Sequence, residues 1–292
     1  MRLTTSFGLW SAGILFTVLL LIYFVLSAPK SVDFGMDTLA PGTPDSGAYI
    51  YLMAGCSSCH MAEGSSDNTF LTGGQKFKTN FGTFIAPNIS NSELHGIGSW
   101  DFKDFYGAVK LGQSPQGRHY FPAFPYTAYS RMTDQDIADL WAFWQTLPSV
   151  DTPTKPHEIR FPFNIRRNLG IWKKLYTPEE FVDQTNDRAT YVVEALVHCA
   201  ECHTPRDVIG GLKSSRWMRG AKNPSGKGSI PSIHPDDLGW SKADIVEYLS
   251  SGFTPDYDMA GGKMASVIEN TSKFTSTDRA LIADYLLRIK RD

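Results

Sequence analysis

The sequence has few cysteines, no excess of charge of either sign and a single long run without charge. Its four cysteines all fall in two copies of one pattern, Cys56-Ser57-Ser58-Cys59-His60 and Cys199-Ala200-Glu201-Cys202-His203. No thiol is left over for a disulfide framework or a catalytic nucleophile. The 28 Lys and Arg against 30 Asp and Glu, a net charge of -2, provide no broad electrostatic case for nucleic acid as a partner. What is present is length enough, at 292 residues, for two domains of ordinary size, and an aromatic content of 13% that suits the enclosure of a large flat apolar group.

Two cysteines three positions apart on a short turn can each form a thioether to one haem vinyl group, and the histidine that follows then reaches the iron. The competing readings are a zinc site built from two Cys-x-x-Cys pairs and a thioredoxin-like dithiol. A histidine directly after the second cysteine, twice, argues against both. Two covalent haem c groups are therefore expected, through Cys56 and Cys59 and through Cys199 and Cys202, with His60 and His203 as axial ligands.

The chain also repeats itself. From Trp100 and Trp240, Gly112 and Gly252 each lie 12 residues on, and Pro115 and Pro255 each lie 15 on, an ungapped offset of 140. Upstream, Pro87 follows His60 by 27 residues and Pro231 follows His203 by 28. Each half ends in an amphipathic helix: Ile137, Leu140, Trp141 and Trp144 share one face, as do Asp278 to Leu286 with Leu281, Ile282 and Tyr285. Thr133 and Thr275 are the expected N-caps, each with Asp three residues later.

The uncharged run, Phe7 to Ala28, would make a helix of roughly 33 Å, enough to span a bilayer. A cleaved secretory signal is the alternative, but Pro29 disfavours cleavage after Ala28 and the run is longer than a usual signal core. With Arg2 inside, the remainder lies outside the cytoplasm. The expected organisation is a transmembrane anchor (1–29), a Gly/Pro/Ser-rich mobile linker (30–45), a first domain (46–148), a structured connection (149–187) and a second domain (188–292). The connection carries the basic aromatic run from Arg160 to Arg167, whose cations could face haem propionates or solvent equally well.

An electron-transfer haem usually takes a second strong ligand, and a thioether opposite the histidine raises the potential. In the second half Met264, in the loop expected before the final helix, is the choice, with Met259 the alternative and Met218 better read as a core residue. In the first half the position equivalent to Met264 is Phe124, which cannot ligate iron, so Met132 is the choice and His119 and His95 the alternatives. With none of these bound, the first haem would be five-coordinate.

The run His119 to Tyr126 with Met132, the stretch Thr83 to Ile89 and the run Cys199 to Asp207 resemble the membrane-bound multihaem cytochrome c subunits of bacterial periplasmic dehydrogenases, over nearly all of residues 46–292. The best-known of these carry three haems, against two sites here. The resemblance implies a mainly α fold: an N-terminal transmembrane helix followed by two tandem all-helical cytochrome c domains, in which a helix like that after Thr133 packs across the helix preceding the haem site. It implies that the Pro87 and Pro231 carbonyls accept a hydrogen bond from the axial histidines, that Met132 ligates where Phe replaces the other Met, and that haem is attached on the outer side of the inner membrane. The function implied is electron relay between a dehydrogenase catalytic subunit, or another donor, and the respiratory chain, with no catalysis by the chain itself. Alternatives are a dihaem subunit of a haem-copper oxidase and a peroxidase-like dihaem enzyme with an open first haem. A peroxidase requires an open iron with an acid/base group beside it, which Met132 would close.

Overall fold

A computed structural model describes residues 3–33, 35, 39–226 and 228–289, with side chains from residue 10 onward. Arg2 and residues 34 and 36–38 of the expected linker lie outside the described residues. The chain is mainly helical. It begins with α1 (Leu3–Leu26), followed by α2 (Pro44–Ala54), α3 (Cys56–His60), the hairpin β1 (Lys76–Thr79) and β2 (Gly82–Ile85), α4 (Phe102–Leu111), α5 (Tyr126–Tyr129) and α6 (Asp134–Trp144). The connection contributes β3 (Glu158–Ile159), which pairs antiparallel with β2 so that Thr83 faces Glu158, and α7 (Asn168–Tyr176). The second half holds α8 (Arg188–Tyr191), a wide π turn over Val192–Leu196, α9 (Ala200–His203), the short pair β4 (Ala221–Lys222) and β5 (Ser229–Ile230), α10 (Pro235–Leu238), α11 (Lys242–Ser251), α12 (Lys263–Thr271) and α13 (Ser276–Arg288).

The halves repeat at the level of single hydrogen bonds. Thr133 and Thr275 cap α6 and α13 by accepting from the Asp136 and Asp278 amides. Asp101 and Ser241 cap α4 and α11, which end on left-handed Gly112 and Gly252. Gly73 donates to the His60 carbonyl at 2.8 Å and Gly220 to that of His203 at 2.7 Å; Ile89 donates to Leu71 at 3.0 Å and Ile233 to Met218 at 2.9 Å. In each half the helix before the attachment turn packs on the last helix. Gly47 makes this close approach possible in the first half, since a Cβ there would lie 1.9 Å from the Asp139 carbonyl oxygen. Phe105, Tyr51 and Trp144 fill the core beneath, and the Trp144 indole donates to the Ile89 carbonyl at 2.9 Å.

The helix expected over residues 7–28 is present as α1, yet among the described residues no helix is long and apolar enough to cross a membrane. The part of α1 with described side chains, residues 10–26, falls short of the about 20 residues that a bilayer core takes. Its apolar side chains nevertheless face away from the rest of the protein, with Trp10 72% exposed. The end of α1 is clamped: Tyr23 donates to Asn168 at 2.8 Å, Arg167 donates to the Phe24 carbonyl at 2.8 Å, and the Gln113 amide donates to the Lys30 carbonyl at 2.7 Å. Ala40 and Thr43 are tied to Gln135 and Asp139. The segment expected to be mobile is thus held at both ends, because its Gly and Pro content rules out a helix without ruling out donors from distant elements.

A reciprocal clasp joins the halves. The Tyr49 hydroxyl donates to Asp278 and accepts from the Thr275 amide at 3.0 Å; the Tyr191 hydroxyl donates to Asp136 and accepts from the Thr133 amide at 3.0 Å. Each tyrosine, near the start of one half, thereby completes the helix cap of the other. Tyr49→Phe and Tyr191→Phe are each expected to lower stability by about 0.5–1.5 kcal/mol, read as a lower urea midpoint; a midpoint unchanged in both variants would deny the clasp any energetic role.

Candidate haem sites

Gly55, at φ 64°, ends α2 and turns the chain directly into α3, so Cys56, Cys59 and His60 lie on one short helical turn. His60 Nδ1 is 2.9 Å from the Pro87 carbonyl, and His203 Nδ1 is 2.8 Å from that of Pro231. A carbonyl only accepts, so each Nδ1 carries the proton and each Nε2 keeps its lone pair for a metal. Burial holds both imidazoles below the ordinary histidine pKa, opposed by those same carbonyls, which favours the neutral ligand form. The thiols move the other way: burial pushes Cys56 and Cys199 up to about 12 and Cys59 to about 11. Such thiols are poor redox nucleophiles, and among the described residues no group of three or more His, Cys, Asp or Glu converges to hold a metal ion.

Cys56, Cys59 and His60 line a cavity of about 1520 Å³, counting its open mouth. Phe124 and Met132 line the same cavity, the latter 1% exposed and packed on the first core. The remaining lining is apolar apart from a few polar edges, which suits a macrocycle with two carboxylate arms. His95 lines this cavity too, whereas His119 does not: its Nε2 donates to the Ser27 carbonyl at 3.0 Å and its Nδ1 accepts from Lys173 at 3.2 Å, so both nitrogens are used away from the site. Met259 holds the position equivalent to His119, bridging to Phe253 as His119 does to Gln113, and is exposed.

In the second half Met264 is half-buried against the core, in the first turn of α12. The loop expected around it is a nine-residue helix, because the sequence from Lys263 to Thr271 has no breaker once Gly261 and Gly262 are passed. Met218 is fully buried at the position of Leu71, which makes it a core residue. The basic run of the connection does not reach the first cavity. Arg166 stacks over Phe121 and donates to the His119 carbonyl, and Arg167 holds the end of α1. The connection reaches the cavity instead through Thr154 and His157. His157 Nδ1 accepts from the Ile85 amide at 3.1 Å, and burial lowers its pKa to about 4, so it faces the cavity as a neutral imidazole.

A family model described as cytochrome c matches residues 44–148. Over 271 residues the chain is 48% identical to a protein of Cereibacter sphaeroides named as a diheme cytochrome c-type protein, covering 90% of this chain and 92% of that one. The chain belongs to the dihaem cytochrome c family. Haem c is its cofactor, and electron transfer its chemistry. This cytochrome is also 34% identical over 251 residues to the fructose dehydrogenase cytochrome subunit of Gluconobacter japonicus, covering 82% of this chain and 51% of that one. It is 30% identical over 259 residues to the gluconate 2-dehydrogenase cytochrome c subunit of Pantoea cypripedii, covering 82% of this chain and 58% of that one. It spans little more than half the length of these two dehydrogenase subunits.

Three features of the cytochrome escape the motifs. Arg131, next to Met132, pairs with Glu194 of the π turn at 3.0 Å, with side chains 5% and 0% exposed. Thr127 donates to Glu201, inside the second attachment motif, at 2.6 Å. His198, the residue before Cys199, lines the cavity of the first half. Adjacency to Met132 and Cys199 is the one sequence signal that singles out Arg131 and His198.

Proposed function

We propose that the cytochrome carries its two haems in tandem cytochrome c domains, 46–148 and 188–292, and serves as the electron-transfer subunit of a dehydrogenase, passing electrons toward the respiratory chain. Cys56 and Cys59, and Cys199 and Cys202, would hold the two haems covalently, with His60 and Met132 the residues that would bind the first iron and His203 and Met264 the second. Each haem iron, when bound, supplies one-electron ferrous/ferric chemistry. Pro87 and Pro231 fix the tautomer and ring orientation of the axial histidines. Met132 and Met264, as second ligands, would leave the irons no free site for oxygen or peroxide.

The observation that carries this reading is the pair of histidine-to-proline-carbonyl bonds, made alike in both halves at 2.9 and 2.8 Å. The dehydrogenase partner rests on relatives that are named cytochrome subunits of fructose and gluconate dehydrogenases. The anchor reading rests on the uncharged sequence run Phe7 to Ala28, which would cross the inner membrane once with the haem domains in the periplasm; the outward apolar side chains of α1 are what lipid would cover.

The test is haem quantification per chain, with optical redox titration and an assay for peroxide reduction on the purified holoprotein. Two haems per chain, two one-electron steps, no carbon monoxide binding and no peroxide turnover are expected. Peroxide turnover, or carbon monoxide binding by the wild-type ferrous protein, would shift the reading to the peroxidase-like enzyme.

A further inference from the structure

The turn before each attachment motif has a left-handed residue. In the first half it is Gly55, at φ 64°; in the second it is His198, at φ 47°. A non-glycine residue pays strain in this region and stays there only when its surroundings hold it. Gly55 shows that the turn itself asks for nothing more than glycine, so the histidine side chain is the feature to explain.

That side chain crosses from one half to the other. His198 belongs to the second attachment loop, one residue from Cys199, yet it lines the cavity that contains Cys56, Cys59 and His60. Its ring meets Tyr129 of the same cavity edge-on, with centroids 5.4 Å apart and planes at 80°. Tyr129 is fixed in turn by its hydroxyl, which donates to the Ala54 carbonyl at 2.6 Å. Nδ1 of His198 is 2.8 Å from the Leu196 carbonyl, which sets the ring's orientation within its own loop. The second attachment motif also touches the first half through Glu201, which accepts from the Thr127 hydroxyl at 2.6 Å.

We propose that His198 is the bridge between the two haem sites, a positioning residue whose aromatic ring couples the covalent attachment of the second haem, through Cys199, to the pocket of the first. This rests on the haem assignment above. The transfer it serves moves one electron from a ferrous to a ferric iron; the imidazole is neither oxidised nor reduced, and no bond forms or breaks. Tunnelling falls steeply with the width of any gap that is not filled by packed atoms, and the ring fills that gap with one residue and its peptide link to Cys199.

The test uses the full-length holoprotein with His198→Gly, which the Gly55 turn shows the backbone accepts, and His198→Phe, which keeps an aromatic ring. A radiolytic pulse adds one electron to the oxidised protein, and re-equilibration between the haems is followed at two α-band wavelengths. Haem content and both midpoint potentials are measured alongside. His198→Gly is expected to slow re-equilibration roughly tenfold or more, the scale of losing a positioning contact, with two haems and both potentials retained, and His198→Phe to restore most of the rate. A rate unchanged in His198→Gly, or lost alike in both variants, overturns the bridge while leaving the haem assignment intact. A chain that binds only one haem overturns both together.

Discussion

Arg131→Ala is expected to destabilise the holoprotein by about 3–5 kcal/mol, the cost of leaving a buried charge without its partner. Glu194 has no exposed side-chain surface, and Arg131 is its only cationic contact at 3.0 Å among the described residues. The guanidinium also donates to the Glu194 carbonyl at 2.8 Å and lies 5.2 Å from the centre of the Phe181 ring. The loss should fall toward the lower end of the range, since the Glu194 carboxylate still accepts from the Val182 and Asp183 amides at 2.7 and 2.9 Å and from the Tyr285 hydroxyl at 2.7 Å. Those same donors explain why a buried pair, often replaceable by apolar residues, is not replaceable here: Glu194→Leu would strand two backbone amides and a hydroxyl. Urea unfolding with both haems bound is the measurement. A loss below ~1 kcal/mol, the value of a surface pair, would mean that water reaches the pair and that it does not lock the halves.

Met132→Ala is expected to open the first iron to external ligands and to lower stability by about 2–5 kcal/mol for the lost buried volume alone. Met132 is 1% exposed in the first core, between Arg131 and the cap of α6. Carbon monoxide should bind the ferrous variant at one haem, and one of two His/Met near-infrared magnetic circular dichroism bands should vanish. Met264→Ala should produce the same optical change at the other haem with a smaller loss of stability, because Met264 is only half-buried. Both bands surviving in Met132→Ala would remove Met132 from the ligand set and require another methionine on that iron, whereas replacement of one His/Met band by a His/His band would point to a histidine of that cavity such as His95.

The two methionines proposed as iron ligands occupy different registers of the repeat, and this has a structural basis. Met264 stands where the first half has Phe124, and Met132 stands where the second half has the buried Phe274, ahead of the Thr275 cap. Between these positions the first half has the four-residue α5 and the second the nine-residue α12. The segment leading to the last helix is thus built differently in each half. Both place one methionine and one phenylalanine on it, in opposite order.

Much of the site was legible in the sequence because its chemistry is local. Cys-x-x-Cys-His must lie on one turn to reach one macrocycle, so its spacing alone identifies two haem sites. The caps of α6 and α13 follow from a threonine three residues before an aspartate, and the fixed offset of 140 announces the repeat. Tertiary structure decided everything that depends on how the halves meet. It engaged both nitrogens of His119 away from the first cavity, clamped a segment that composition described as free, and brought Thr154 and His157 of the connection, rather than its arginines, to that cavity. It also buried Glu194 against Arg131 and sent His198 across the junction. These contacts join residues 54 to 145 positions apart, and no periodicity or spacing within one element encodes them; those of Arg131 and His198 exist only where the two halves of the chain meet.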